Sequence, residues 1–181
     1  MIKQLFIFNK RIILVLFVVV CHIHVDAQND TLHSQHSKQD SIKVVVPKQG
    51  LANLKMLTPP EGFVVADKFN GYIHYQASAA IIMTMLENVS FIDIDKGMTN
   101  EFFQKNQLVF IEKKDMVSAS GTKGLIYKFS FVLSGKEFIR YFVYAGDLNK
   151  TLWLAITYPR QYDALLDANI LQCTQTITLN P

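Results

Sequence analysis

Few residues in this 181-residue chain have the chemistry to act on a substrate. His74 in "GYIHYQ" is the one imidazole of the aromatic-rich part, and Asp93 and Asp95 in "FIDID" offer two carboxylates spaced two apart. A histidine oriented by a carboxylate can serve as a general base, so His74 with Asp93 or Asp95 would suit a hydrolase. On a strand, residues two apart share a face. Asp93 and Asp95 placed that way would suit an acid–base pair or a Ca²⁺ ion. Each has a plainer reading, as a half-exposed strand histidine and as a solvated strand edge before a helix. His74, Asp93 and Asp95 are therefore the candidate ligand or partner surface, with no catalytic residue and no metal ligand assigned.

The other motifs carry less. "SGTKG", Ser120 to Gly124, lacks the Gly-Lys-Ser/Thr ending of a phosphate loop and lies between two strands, so it reads as a hairpin loop. Ser118 and Ser120 have no evident base. There is no His-Glu-x-x-His, paired CxxC or G-x-S-x-G, and no cofactor is expected. His33 and His36 in "HSQHS" make a poor metal site without a carboxylate or thiol partner.

The first residues have another purpose. Lys3, Lys10 and Arg11 precede an apolar run from Ile12 to Cys21, and Val25-Asp26-Ala27 matches a signal-peptidase site. The run is about half of what a membrane-spanning helix needs. The expectation is a cleaved secretory signal over 1–27 and a mature periplasmic or secreted protein from near Gln28. Lipidation at Cys21 is a minor alternative, because Val20 stands where such signals carry a small residue. Cleavage takes three of 18 basic and one of 15 acidic residues, leaving a net charge of about +1. With no basic stripe interleaved with aromatics, nucleic acid is not an expected partner. Cys173 would be left alone, so no intramolecular disulfide can form, and its apolar helical position predicts a buried, inert thiol.

Residues 28–51 are polar and lack aromatics, which predicts a flexible tether, with Val44 to Val46 able to add a short edge strand. Asp30-Thr31-Leu32 and Asp40-Ser41-Ile42 each match a bacterial O-glycosylation sequon, at Thr31 and Ser41. From residue 52 a single domain follows. "TPPEGF" is a turn, "FVVAD", "GYIHYQ" and "AAIIMTML" are strands, and Thr99 caps a short helix over roughly 99–106. "LVFIEKKDMVSA", "KGLIYKFSFVLSG", "EFIRYFVYAGD" and "TLWLAITY" form a meander with "SGKE" and "AGDLNK" as its tight turns. Along the second of these, Leu125, Tyr127, Phe129 and Phe131 alternate with Ile126, Lys128, Ser130 and Val132, which predicts helix cover on one face. Both faces of "TLWLAITY" are apolar, as in a central strand, so Trp153 belongs to the core. A last helix carries the stripe Tyr162, Leu165, Leu166, Ile170, Cys173 and Ile177, with Arg160 and Asp163 on its outer side. The expected class is α+β: an antiparallel meander with a short middle helix and a C-terminal helix packed on it.

That layout resembles the PsbP-like superfamily, which includes PsbP proteins and the periplasmic DcrB proteins. The resemblance runs from Pro59 to Leu179. It rests on the opening "TPPEGF", the glycine-marked turn at Gly121 and Gly124, "YKFSF", "GKEFIRYFVY", "TLWLAITYP" and a closing helix ending in "TQTI". It implies an α/β/α sandwich and a non-enzymatic binding or assembly role in the bacterial envelope, with an envelope protein or small ligand as partner. No family site residue has a counterpart here. "ASAAIIMTMLENVSFIDID" is more apolar than a solvent-facing strand pair, so Ala79 to Leu86 offers a covered face, a partner surface or a lipid contact.

Overall fold

The computed structural model describes residues 55–179. The signal, the tether, Cys21, Thr31, Ser41, His33, His36 and Val44 to Val46 lie outside the described residues. The described part is α+β, built on one seven-stranded antiparallel sheet. Its strands are β1 (Val64–Val65), β2 (Gly71–His74), β3 (Ala79–Glu87), β4 (Val109–Val117), β5 (Lys123–Leu133), β6 (Lys136–Gly146) and β7 (Lys150–Pro159). Two short helices, α1 (Phe91–Gly97) and α2 (Asn100–Lys105), link β3 to β4, and α3 (Asp163–Thr174) closes the chain.

The strand order is β1-β2-β3-β7-β6-β5-β4. A three-strand and a four-strand meander thus join where the last strand, β7, pairs with β3 along its length, from Ala80–Thr157 to Glu87–Lys150. Local chemistry sets the hairpins. Leu133 pairs with Lys136 around Ser134 and Gly135, both at positive φ (50° and 75°), the two-residue turn whose twist suits antiparallel strands. Before β7, the Asp147 carboxylate accepts from the N–H groups of Asn149 and Lys150 and so fixes the next turn.

Register sorts the side chains. One face gathers Ile81 and Met83, Leu152, Leu154, Ile156 and Tyr158, Ile139, Tyr141 and Val143, and Ile126, under Leu166, Ile170, Cys173 and Ile177. Burying each such aliphatic side chain contributes about 1.5–3 kcal/mol before entropy is subtracted. The opposite face is aromatic. Tyr127, Phe129, Phe142, Tyr144 and Trp153 form a patch on which Phe103 of α2 sits, its ring 4.9 Å from that of Phe129. Helices therefore cover both faces, and the one-sided cover that alternation along β5 predicts does not hold. On the mixed side of β5, Ile126, Lys128 and Ser130 are buried like Leu125, Tyr127 and Phe129 on the other, and only Val132 near the strand's end is exposed. β7 is central and buried on both sides, as its sequence predicts, and Trp153 is in the core.

Gly71 is required by this sheet. It has φ +149°, and a Cβ there would lie 1.8 Å from the carbonyl oxygen of Ile81.

Candidate functional site

The densest cluster of ionisable groups lies where α3 meets the sheet. Lys128 of β5 and Tyr141 of β6 are directly paired, and both point at α3. Lys128 is buried, with its ammonium 2.5 Å from Asp167 and 3.0 Å from Asp163. Residues 163 and 167 are four apart, so one helix face presents both carboxylates. The Tyr141 hydroxyl donates to Asp167, and the Tyr158 hydroxyl donates to Asp163 at 2.8 Å. Lys128 also lies 5.4 Å from the Tyr141 ring centroid, a cation–π contact.

The electrostatics follow from that geometry. Burial by itself would raise the Asp167 carboxyl, but hydrogen bonds from Lys128 and Tyr141 outweigh it and hold it below the usual range. Burial by itself would lower Lys128, but the hydrogen bonds and charges of Asp167 and Asp163 hold it above the usual range. Burial and the adjoining carboxylates push the hydroxyls of Tyr141 and Tyr158 far up, so both remain donors. The arrangement is one buried cation neutralised by two carboxylates, each fixed by a phenol. It pins α3 to the sheet.

A smaller version stands on the opposite face. Asp95 of α1 accepts from the Tyr127 hydroxyl and lies 2.6 Å from the Lys113 ammonium. Burial raises its carboxyl, and the Lys113 and Tyr127 hydrogen bonds reverse that and hold it low. Burial and Asp95 together push Tyr127 well up. Asp95 thus ties α1 to the sheet as Asp167 ties α3.

His74, Asp93 and Asp95 are not brought together. His74 ends β2 on the α3 face. Its Nδ1 accepts the N–H of Ala77 at 3.2 Å, and its ring meets Phe63 edge-on at 5.3 Å. A Cβ at Gly62 would come within 2.5 Å of its Nε2, so the loop is packed against the imidazole. Asp95 lies on the other face. The expectation that Asp93 and Asp95 share a strand face is corrected, because both lie in helix α1. The Ser90 side chain accepts the N–H of Ile92 and starts that helix, with Asp93 favourable in its first turn. Asp93 is exposed and pairs with Lys96 at 2.7 Å.

Asp163 is likewise corrected. It faces Lys128 and Tyr158, not the helix's outer side, whereas Arg160 is exposed and pairs with Glu137. Leu165 drops out of the apolar stripe and is exposed. Lys128, Tyr141 and Tyr158 were not candidates from sequence. An isolated lysine on an otherwise large-residue strand was the available signal. Cys173 is buried against the sheet, and burial pushes its thiol up to about 12.

"SGTKG" is the β4–β5 loop, as its sequence predicts. The Ser120 hydroxyl donates to the carbonyl of Ile177 at 2.8 Å, fastening the loop to the chain end. Beside it, an open groove of about 700 Å³ runs between Phe91 and Ile92, this loop, Leu148 and Leu179. Among the described residues no group of three or more His, Cys, Asp or Glu is placed to hold a metal ion. Among those residues, no helix is long and apolar enough to cross a membrane.

No family model matches the sequence, and no curated protein matches it. Solved structures are similar at low identity. A protein of unknown function from Pseudomonas aeruginosa, PA94, aligns over 57% of this chain and 74% of its own, at 14% identity and a TM-score of 0.45. A Bacteroides thetaiotaomicron VPI-5482 protein aligns over 69% of this chain and 44% of its own, at 11% identity and a TM-score of 0.46.

Proposed function

We propose that this chain is an exported, non-enzymatic binding or assembly module of the bacterial envelope, with a PsbP/DcrB-like α/β/α layout. Its partner is an envelope protein or a small ligand. One observation carries the reading: the ionisable groups that come closest to forming a site are spent on holding helices to the sheet. Lys128 is closed off by Asp163 and Asp167, and Asp95 is occupied by Lys113 and Tyr127. What the domain offers outward is apolar surface, at the groove beside Ile92 and Leu148 and along β4. Support for export is the basic–apolar–Ala27 pattern of the first 27 residues.

The test is to express the full chain with a C-terminal tag in a bacterial host, release the envelope contents, and crosslink from Leu148 in living cells. The expected result is an intact mass beginning at Gln28 in the released fraction and one discrete crosslinked species. Retention of Met1 in a cytosolic protein would overturn export. Absence of any crosslinked species would overturn the binding role of the groove.

A further inference from the structure

β4 is the long open edge of the sheet. Among the described residues it pairs only with β5, whereas the opposite edge, β1, has two residues. Four of its nine residues are large apolar side chains held in water: Val109 at 62% exposure, Phe110 at 46%, Ile111 at 43% and Val117 at 58%. An exposed edge of this length is a template for another strand.

The pattern along that edge is self-complementary. Ile111-Glu-Lys-Lys-Asp-Met-Val117, set antiparallel to itself about Lys114, places Lys113 opposite Asp115 within the regular ladder and brings Ile111, the bulged residue, level with Val117, each twice by symmetry. Directly opposed side chains on one face are the pairs that stabilise a sheet, and opposite charges or apolar partners are the favourable ones. Asp115 is exposed and makes no ion pair among the described residues, so a neighbouring lysine is what it lacks. The Lys114 ammonium is already 2.9 Å from Glu112 of its own strand, which tempers the meeting of two Lys114 residues at the axis.

Lysines and bulges often guard an edge against pairing. Here Lys113 leans over the Tyr127 ring, 5.4 Å from its centroid, and pairs with Asp95 at 2.6 Å, so facing Asp115 of a second copy means sharing its ammonium between the two carboxylates. The register shift lies between Phe110 and Glu112, and from Glu112 to Val117 the ladder to β5 is regular. The guard is partial, and the regular half carries the complementary charges.

We infer that a second copy of this chain docks on β4, pairing antiparallel about a two-fold axis at Lys114, so that two seven-stranded sheets become continuous. Such a contact uses the same patch on both subunits and closes on itself. It does not depend on export or on the groove at Leu148.

The experiment measures mass in solution by light scattering and sedimentation, over a concentration series, on the protein as its cell processes it. The expected result is a monomer–dimer equilibrium that Ile111→Lys weakens at least tenfold while Trp153 emission stays native. In a chain with any retained Cys21 changed to Ser, Lys114→Cys should oxidise to a covalent dimer, because directly opposed Cα atoms lie within disulfide reach. Lys113→Cys should not, since its symmetry mate is displaced along the strand. A monomer at every concentration would overturn the inference, as would a dimer indifferent to Ile111→Lys. Equal crosslinking through Lys113→Cys would overturn the register, and β4 held only by a different protein would overturn the choice of occupant.

Discussion

Replacing Lys128 by Met tests whether the α3 cluster is a structural strut. Methionine keeps most of the buried stem, so little cavity forms, and the change removes a charge. Two carboxylates, Asp163 and Asp167, then face the sheet four residues apart, with only the Tyr158 and Tyr141 hydroxyls as donors. At about 3 Å and an effective dielectric of about 20, each lysine–carboxylate attraction is worth roughly 5 kcal/mol before desolvation. Burying the ammonium offsets several kcal/mol of that. The carboxylates are about a third exposed, at 32% and 35%, so water screens what remains. The expected loss is about 2–4 kcal/mol, read by urea unfolding with Trp153 fluorescence. Changing Asp163 and Asp167 to Asn in the same chain should recover most of it, because no unpaired charge is left.

The pH dependence gives an independent check. In the native protein Asp167 is held below its ordinary value, so its contribution is present above the usual carboxylate range of about 4 and is lost as pH falls through the depressed value. Lys128 is held above its ordinary value, so its contribution is complete below about 10 and is lost as pH rises through the raised value. Stability should therefore be flat between those limits and fall toward acid. Without the ammonium, burial raises the Asp167 carboxyl with only the Tyr141 hydroxyl left to oppose it, and the variant should gain stability as pH drops from about 6 toward 4. A loss under about 0.5 kcal/mol, or an acid limb of unchanged slope, would refute the strut.

Two further outcomes follow from burial. Trp153→Ala should cost ~3–5 kcal/mol by circular dichroism, since the ring is buried and packs 5.9 Å from that of Phe142; a cost under about 1 kcal/mol would mean the ring is dispensable to the core. Cys173, with its thiol pushed up to about 12, should react with a thiol reagent at neutral pH only as fast as the domain unfolds. Labelling at the rate of a free thiol would show that α3 lifts from the sheet on its own.

How much of this was legible depended on the range of the interactions. The meander, the turn at Ser134 and Gly135, the Thr99 cap and the burial of β7 on both faces follow from local pattern, and the structure has each. The "FIDID" segment misleads because its alternation has period two, while the deciding signal, Ser90 capping a turn with Asp93 inside it, lies a residue upstream. Asp163 misleads because Leu165 is apolar and invites inclusion in the stripe, whereas the buried Leu166, Ile170 and Cys173 fix a face that the helical period shares with Asp163 and Asp167 and sets opposite Leu165. Lys128 stands out in the sequence, but its partners could not be read there. Its burial depends on which β6 residue lies opposite it and on which helix crosses above, and a sequence does not state a register. That is why a lone lysine among large side chains deserves suspicion before a histidine does. A half-buried histidine can satisfy itself on a nearby N–H, as His74 does with Ala77, whereas a buried ammonium must find carboxylates. Here it found them on the long helix, beside the apolar face that also holds that helix to the sheet.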